Sequence, residues 1–326
     1  MYFTFEYNKK NIIIGDTMDN IILNEATHSI FYAPLYVSME LEYFKRSRLK
    51  IFLENGNGSD KTMEALLSGT ADIGLLGPET TLYLHNKHIG RRVVNFAQLT
   101  NHAGNFLISR EPYDDFDWDY VRGKTILGDR NDGMPEIILE YILRSRGIDP
   151  ENDVYIDQSI PFGETADEFI AGVGDFTIEF EPDATRLELE HNYHIVASLG
   201  TDCHDVPYTT FASPYSYITS NSNIIQRFTN AMQKGMKYVS MASSKSIAKV
   251  IAPQFPYMNV DTITVIVDRY KQQGTWKNNL VFPKASFNLL EDILVSSNRL
   301  SELVPYKEVG TTHCAKRAFC CVNELY

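Results

Sequence analysis

Two short stretches constrain this chain more than any other feature. Residues 68–76 read SGTADIGLL, and residues 171–179 read AGVGDFTIE. Both share a small–Gly–x–x–Asp–apolar pattern, with Gly69 and Asp72 standing before the first apolar run and Gly172 and Asp175 before the second. Each follows a stretch with helical apolar spacing. A glycine after the last helical position stops a helix because it tolerates the left-handed backbone. The apolar run that follows reads as a buried strand. Helix, glycine stop and strand re-entering a sheet, twice and about a hundred residues apart, predict two α/β units of like build.

The surrounding sequence extends the alternation. Strands are expected at 20–24, 49–54, 72–76, 124–128 and 153–157, separated by helices at 31–44, 59–69, from Pro78 towards Gly90, and 135–147. Such alternation implies a mainly parallel sheet. Beyond residue 220 it gives way to helices, over 223–239, 261–273 and 286–297, read as a cap returning to the first unit. The expected fold is therefore α/β and two-lobed. Lobe 1 takes 20–108 plus 212–315, lobe 2 takes 109–211, and 316–326 form an unordered tail.

Composition removes several functions. Thirty Lys and Arg against 42 Asp and Glu give a net charge of −12. An acidic surface of that kind argues against nucleic acid as a partner. No apolar run approaches the ~20 residues that span a bilayer. Cys203, Cys314, Cys320 and Cys321 form neither a Cys-x-x-Cys pair nor a disulfide framework. The start, MYFTFEYNKKNIII, lacks the basic-then-apolar pattern of a secretory leader, and no lipid-attachment Cys follows. Its owner is expected to be a processed or trimmed form, or not exported.

In an open sheet, ligands gather where strand ends feed helix starts. The loops there are 24–29, 56–59, 77–79, 100–105, 128–133 and 180–182. Several place Gly or Ser at a helix start, where free backbone N–H groups can donate. GNGSDK at 56–61 lacks the Gly-Lys-Ser/Thr of a P-loop, and no Gly-x-Gly-x-x-Gly follows a strand.

THSIFYAPLYVSMELEYF at 27–44, GNGSDKTMEALLSGTADIGLLGPE at 56–79, FEP at 180–182 and VDRYKQQGTWKNNLVFPKASFNLLEDIL at 267–294 resemble the sulfonate/nitrate/taurine-type solute-binding proteins of ABC importers. That group includes relatives binding thiamine pyrimidine precursors. The resemblance covers roughly residues 20–315. It implies a two-lobed, periplasmic-binding-protein-like fold of type II with crossovers near 106–110 and 207–216, a small organic solute held between the lobes, an ABC permease as membrane partner, an extracytoplasmic location and a monomer that is not an enzyme. The pocket residues it implies are Thr27, His28, Tyr32, Gly58, Ser59, Gly77, Pro78, Glu79, Thr100 and Asn101 from the first lobe, facing Gly133, Met134, Glu164, Glu181 and Tyr208. Ser59 and Glu181 are the favoured pair.

Two departures carry weight. His28, His102 and the run Asp202-Cys203-His204-Asp205 offer ligands that suit zinc, so a zinc ion held by His28 and His204 is an expectation. No other cofactor is expected. Tyr32 stands where the related pyrimidine-precursor synthases carry a histidine that they consume, which argues against that chemistry. An enzyme on the same scaffold, of the menaquinone-pathway or precursor-synthase type, is the alternative.

Overall fold

A computed structural model describes residues 18–87, 90–128, 131–161 and 163–323. The start of the chain, read above as lacking a leader pattern, lies outside the described residues up to 17. Among the described residues, ten strands form two five-stranded sheets. The first contains β1 (Asp19–Glu25), β2 (Leu49–Asn55), β3 (Ile73–Leu76), β4 (Val93–Thr100) and β10 (Thr209–Pro214), in the order β2-β1-β3-β10-β4. The second contains β5 (Phe106–Ser109), β6 (Thr125–Leu127), β7 (Tyr155–Asp157), β8 (Phe176–Glu179) and β9 (His194–Ser198), in the order β7-β6-β8-β5-β9.

The two orders are the same order. In each sheet the first three strands pair in parallel, and the fourth position runs antiparallel to both neighbours. That odd strand is in both cases the first to arrive after the chain changes sheets, β5 on the way out and β10 on the way back. Each sheet is thus mixed rather than wholly parallel. The changeovers run from Thr100 to Phe106 and from Ser198 to Thr209. All of β5 therefore lies in the second sheet and all of β10 in the first, a few residues from the expected division at 108 and 211.

The sequence repeat has a physical cause in this arrangement. β3 and β8 hold the central position of their sheets. Asp72 accepts a hydrogen bond from Ile22 N at 2.9 Å, and Asp175 accepts one from Thr125 N at 2.9 Å. Their own backbone N–H groups bond back to the carbonyls of Ile22 and Thr125, each at 2.9 Å. In both sheets the aspartate ties the entry of the central strand to its first-strand neighbour, closing a donor that the ladder leaves open. Gly69 (φ 82°) and Gly172 (φ 105°) make the turn before it, in the region that glycine tolerates best.

The helical last third covers the first sheet and reaches the second. The Ser222–Met241 helix buries Ile225, Phe228, Met232, Met236 and Val239, the expected stripe. Phe228 meets Phe44, Phe96 and Phe211 edge-on or tilted. The unordered tail is corrected: His313–Asn323 is a helix with Cys314, Ala315, Ala318 and Val322 buried, packed on the Ser222–Met241 helix. Apolar residues at helical spacing gave it a face to bury. All four cysteines are free thiols.

Candidate functional site

A cavity of about 220 Å³ lies where the strand-end loops of the two sheets meet. From the first sheet it is walled by Ala26, Thr27 and Tyr32 after β1, by Gly58, Ser59 and Asp60 after β2, and by Gly77, Glu79, Thr80 and Tyr83 after β3. From the second it takes Asn131 to Pro135 after β6 and Phe180 after β8, while Tyr208 and Thr209 come from the return crossover.

Local chemistry fixes the first wall. Gly58, at φ 132°, precedes the Ser59–Ser68 helix as its N-cap and donates its N–H to Ala26 O at 2.6 Å. Ser59 Oγ accepts from Gly77 N at 3.1 Å, and Thr80 Oγ1 donates to Gly77 O at 2.7 Å. A Cβ on Gly77 would sit 2.1 Å from a Glu79 carboxylate oxygen. Only glycine leaves room for that carboxylate beside the turn. Glu79 is 2 % exposed, and it stands close enough to Tyr32 and Tyr83 to matter electrostatically. Burial first, and the negative charges of Glu25 and Glu79 second, raise the Tyr32 phenol; burial, then Glu79 and Asp132, raise that of Tyr83. Both rings are neutral phenols at any ordinary pH. The Tyr83 hydroxyl is buried without a hydrogen-bond partner among the described residues.

The floor is aromatic. Phe31 lies beneath it, 5.7 Å from Phe180 and 5.6 Å from Tyr208 between ring centres. Tyr208 hydroxyl donates to buried Asn105 Oδ1 at 2.6 Å. Gly104 makes this stack possible, since a Cβ there would meet both Phe31 and Phe180 within 2.8 Å. At the mouth, Arg299 reaches across to Asp132 at 3.1 Å, Glu136 at 3.1 Å and Glu140 at 2.8 Å.

Nine of the expected residues therefore line the cavity: Thr27, Tyr32, Gly58, Ser59, Gly77, Glu79, Gly133, Met134 and Tyr208. The others serve elsewhere. Pro78 is the N-cap of the Glu79–Asn86 helix, its carbonyl bonded by Thr81 Oγ1 at 2.7 Å. Thr100 shares a 2.5 Å hydroxyl bond with Thr209, and Asn101 donates to Asp205 at 2.6 Å. Glu164 is exposed beside a short helix. Glu181 is buried but turned to structural use: it pairs with Arg269 and accepts from Thr185 N at 2.9 Å. Its carbonyl accepts from Ser29 Oγ at 3.1 Å and its N–H donates to Tyr270 Oη at 3.2 Å. Residues the sequence reading missed are mostly neighbours of ones it named. Tyr83 alone was separately legible, one turn beyond Glu79 on the same helix face.

The zinc expectation does not survive. His28 Nδ1 lies 2.6 Å from Glu25 and its Nε2 3.0 Å from Gln254 O, so both ring nitrogens are engaged. His204 is exposed on a separate loop. His102 is held between Gln273 O at 2.6 Å and Asp205 at 3.0 Å. Burial pushes the Cys203 thiol up to about 11, which disfavours the thiolate a metal needs. No group of three suitable ligands occurs among the described residues, so this donor set does not fit a zinc ion.

Comparison with known proteins agrees with this geometry. YtlA of Bacillus subtilis (strain 168), whose name gives it a provisional role as a binding protein, is 38 % identical over 302 residues, covering 93 % of this chain and 90 % of YtlA. The nitrate-binding protein NrtA of Synechocystis PCC 6803 superposes with a TM-score of 0.80 at 12 % identity, over 94 % of this chain and 89 % of that one. A zinc-bound ligand-binding component of an ABC-type import system from Staphylococcus aureus gives 0.75 at 14 % identity, over 92 % and 99 %. These two establish the fold. Residues 30–242 match the family model described as NMT1/THI5 like, and the chain belongs to that family.

Proposed function

We propose that this protein is the solute-binding component of an ABC importer, holding one small organic molecule in the cavity between its sheets. The observation that carries the reading is the two-sided wall: loops of both sheets line one cavity. A ligand drives closure only by binding the closed state better than the open one, and contacts to both walls supply that difference. The volume of about 220 Å³ lies below the range for drug-sized ligands, which favours a small solute. YtlA, a full-length relative, and the import-system component support the same reading. In that role the protein works as a monomer outside the cytoplasm and delivers its solute to a membrane permease. Among the described residues no helix is long and apolar enough to cross a membrane.

Native mass spectrometry of the protein purified from its own cells tests this. The expected result is a non-covalent small molecule, one per chain, that is lost when Tyr208 and Phe180 are both changed to alanine. A bare chain whose solution scattering stays the same on adding a cell extract would overturn the reading.

A further inference from the structure

A guanidinium bridges the two units at the cavity mouth. Arg299 follows the Lys284–Ser296 helix, in a stretch fixed to the first unit on both flanks. Gln98 N of β4 donates to Leu280 O at 2.8 Å, and Ser301 Oγ donates to Asn86 Oδ1 at 3.1 Å. The partners of Arg299 belong to the second unit: Asp132 in the loop after β6, and Glu136 and Glu140 on the Met134–Ser145 helix. All three guanidinium nitrogens are used. Nε donates to Asp132 at 3.1 Å, Nη1 and Nη2 fork onto the two oxygens of Glu140 at 2.8 and 3.0 Å, and Nη2 also meets Glu136 at 3.1 Å. A two-pronged arginine–carboxylate bond fixes orientation as well as distance.

Burial ties this pairing to the approach of the units. The Lys284–Ser296 helix packs on the Met134–Ser145 helix, and the side chains of Glu136, Glu140 and Arg299 are only 6 %, 12 % and 11 % exposed. Glu136 and Glu140 stand four positions apart on one helix, where like charges repel. Arg144 supports Glu140 from the same helix at 2.7 Å, but Arg299 is the cation that meets both. Burying the two carboxylates without it is costly, and parting the units returns them to water. Contacts at the crossovers differ in kind: Tyr270 Oη donates to Gly104 O at 3.1 Å, and Gln273 Nε2 donates to Ala103 O at 2.9 Å. A rotation about the crossovers leaves such bonds together and separates those at the mouth. The network also shapes the cavity. Glu136 Oε2 accepts from Asp132 N at 2.5 Å, and Asp132 takes the left-handed backbone at φ 58°. That turn presents Asp132, Gly133 and Met134 to the cavity.

Resting on the two-sided cavity of the solute-binding reading, we propose that Arg299 is a latch between the units: its fork closes on Glu136 and Glu140 when the sheets approach, and it then holds the 132–134 wall in place. Its free-energy difference between the closed and open states sets how much of the empty protein is closed. Pulsed electron–electron resonance reads the separation of the units in the full chain. Spin labels go on Glu64→Cys in the first unit and Glu168→Cys in the second, both exposed, with the exposed Cys320 and Cys321 changed to serine. With no solute added, Arg299→Met should raise the ratio of long to short separations at least tenfold over the parent. Arg299→Lys keeps the charge and loses the fork, so it should fall between the two. Glu140→Gln keeps the volume but turns an amide nitrogen towards the guanidinium, and should raise the ratio at least threefold. Thermal melts of the same samples separate opening from unfolding. A lower Tm with unchanged separations makes Arg299 a structural residue alone and overturns the proposal. If Arg299→Met does not fold, unchanged separations in Arg299→Lys and Glu140→Gln overturn it equally. Either failure leaves the solute-binding reading standing, since native mass spectrometry tests that reading on its own.

Discussion

Replacing Arg269 with methionine isolates the cost of the buried ion pair behind the cavity. Glu181 is 1 % exposed, and Arg269 reaches it together with Thr185 Oγ1 at 2.9 Å and Glu188 at 2.7 Å. Breaking a buried pair from one side costs about 3–5 kcal/mol because the other charge stays buried. The Arg269 side chain is 21 % exposed, so the lower end, about 3 kcal/mol, applies. At roughly 2.1 cal/mol/K of unfolding entropy per residue, a chain of 326 residues loses about 4 °C in Tm. Burial already raises the Glu181 carboxyl above its usual 4.5, while Arg269 pulls it down. Without the arginine it rises further. An acid raised in the folded state favours folding below its unfolded pKa and loses that advantage as the pH climbs through the folded value. The deficit of Arg269→Met should therefore be larger at pH 7.5 than at pH 5, and Arg269→Met with Glu181→Gln should recover about 2 kcal/mol of it. Urea titrations of the four-member cycle at both pH values measure this. A deficit equal at the two pH values, or a double variant no more stable than Arg269→Met, refutes the reasoning.

Asp72→Asn and Asp175→Asn should each cost about 1 kcal/mol and differ by little, because the two carboxylates make the same bond in equivalent places; denaturant midpoints compare them. Gly77→Ala should abolish solute binding by displacing the Glu79 carboxylate while shifting Tm by only a few degrees, read by calorimetry and thermal melts of one preparation. Tyr208→Phe should cost about 2 kcal/mol by leaving the Asn105 side chain short of a donor, yet keep most of the solute affinity, since the ring face stays. The bond from Glu25 and the carbonyl of Gln254 raise His28 above 6.5 against the opposing effect of burial. Its contribution to stability is present below pH 6.5 and should fade as the pH rises past the folded value, a slope that His28→Gln should remove.

How much of this was legible beforehand depended on local pattern. The alternation of β1, β2, β3, β6 and β7 with helices followed from apolar runs and glycine stops, and the Asp72 and Asp175 repeat pointed to two units. The antiparallel strands β5 and β10 carry no such mark, because nothing in FLIS or TTFASP distinguishes one strand direction from the other. Their direction is set by how the chain changes sheets. The 313–323 helix reads as a tail because its apolar face is short, and only packing on the Ser222–Met241 helix shows that it is buried. Within the site, loop position located Ser59, Gly77, Glu79 and Gly133. It could not show that Glu181 is spent on Arg269, whose partner lies 88 positions away. Nor could it show that His28 is engaged away from His204, since the carbonyl that meets His28 Nε2 belongs to Gln254.

A crystal structure of the full chain with the solute it carries tests the central claim most directly. The account predicts density within the cavity, in contact with Glu79 or Ser59 on one side, with Gly133 or Met134 on the other, and with the rings of Phe180 and Tyr208 beneath. A solute bound on the outer surface, or touching loops of one sheet alone, contradicts it.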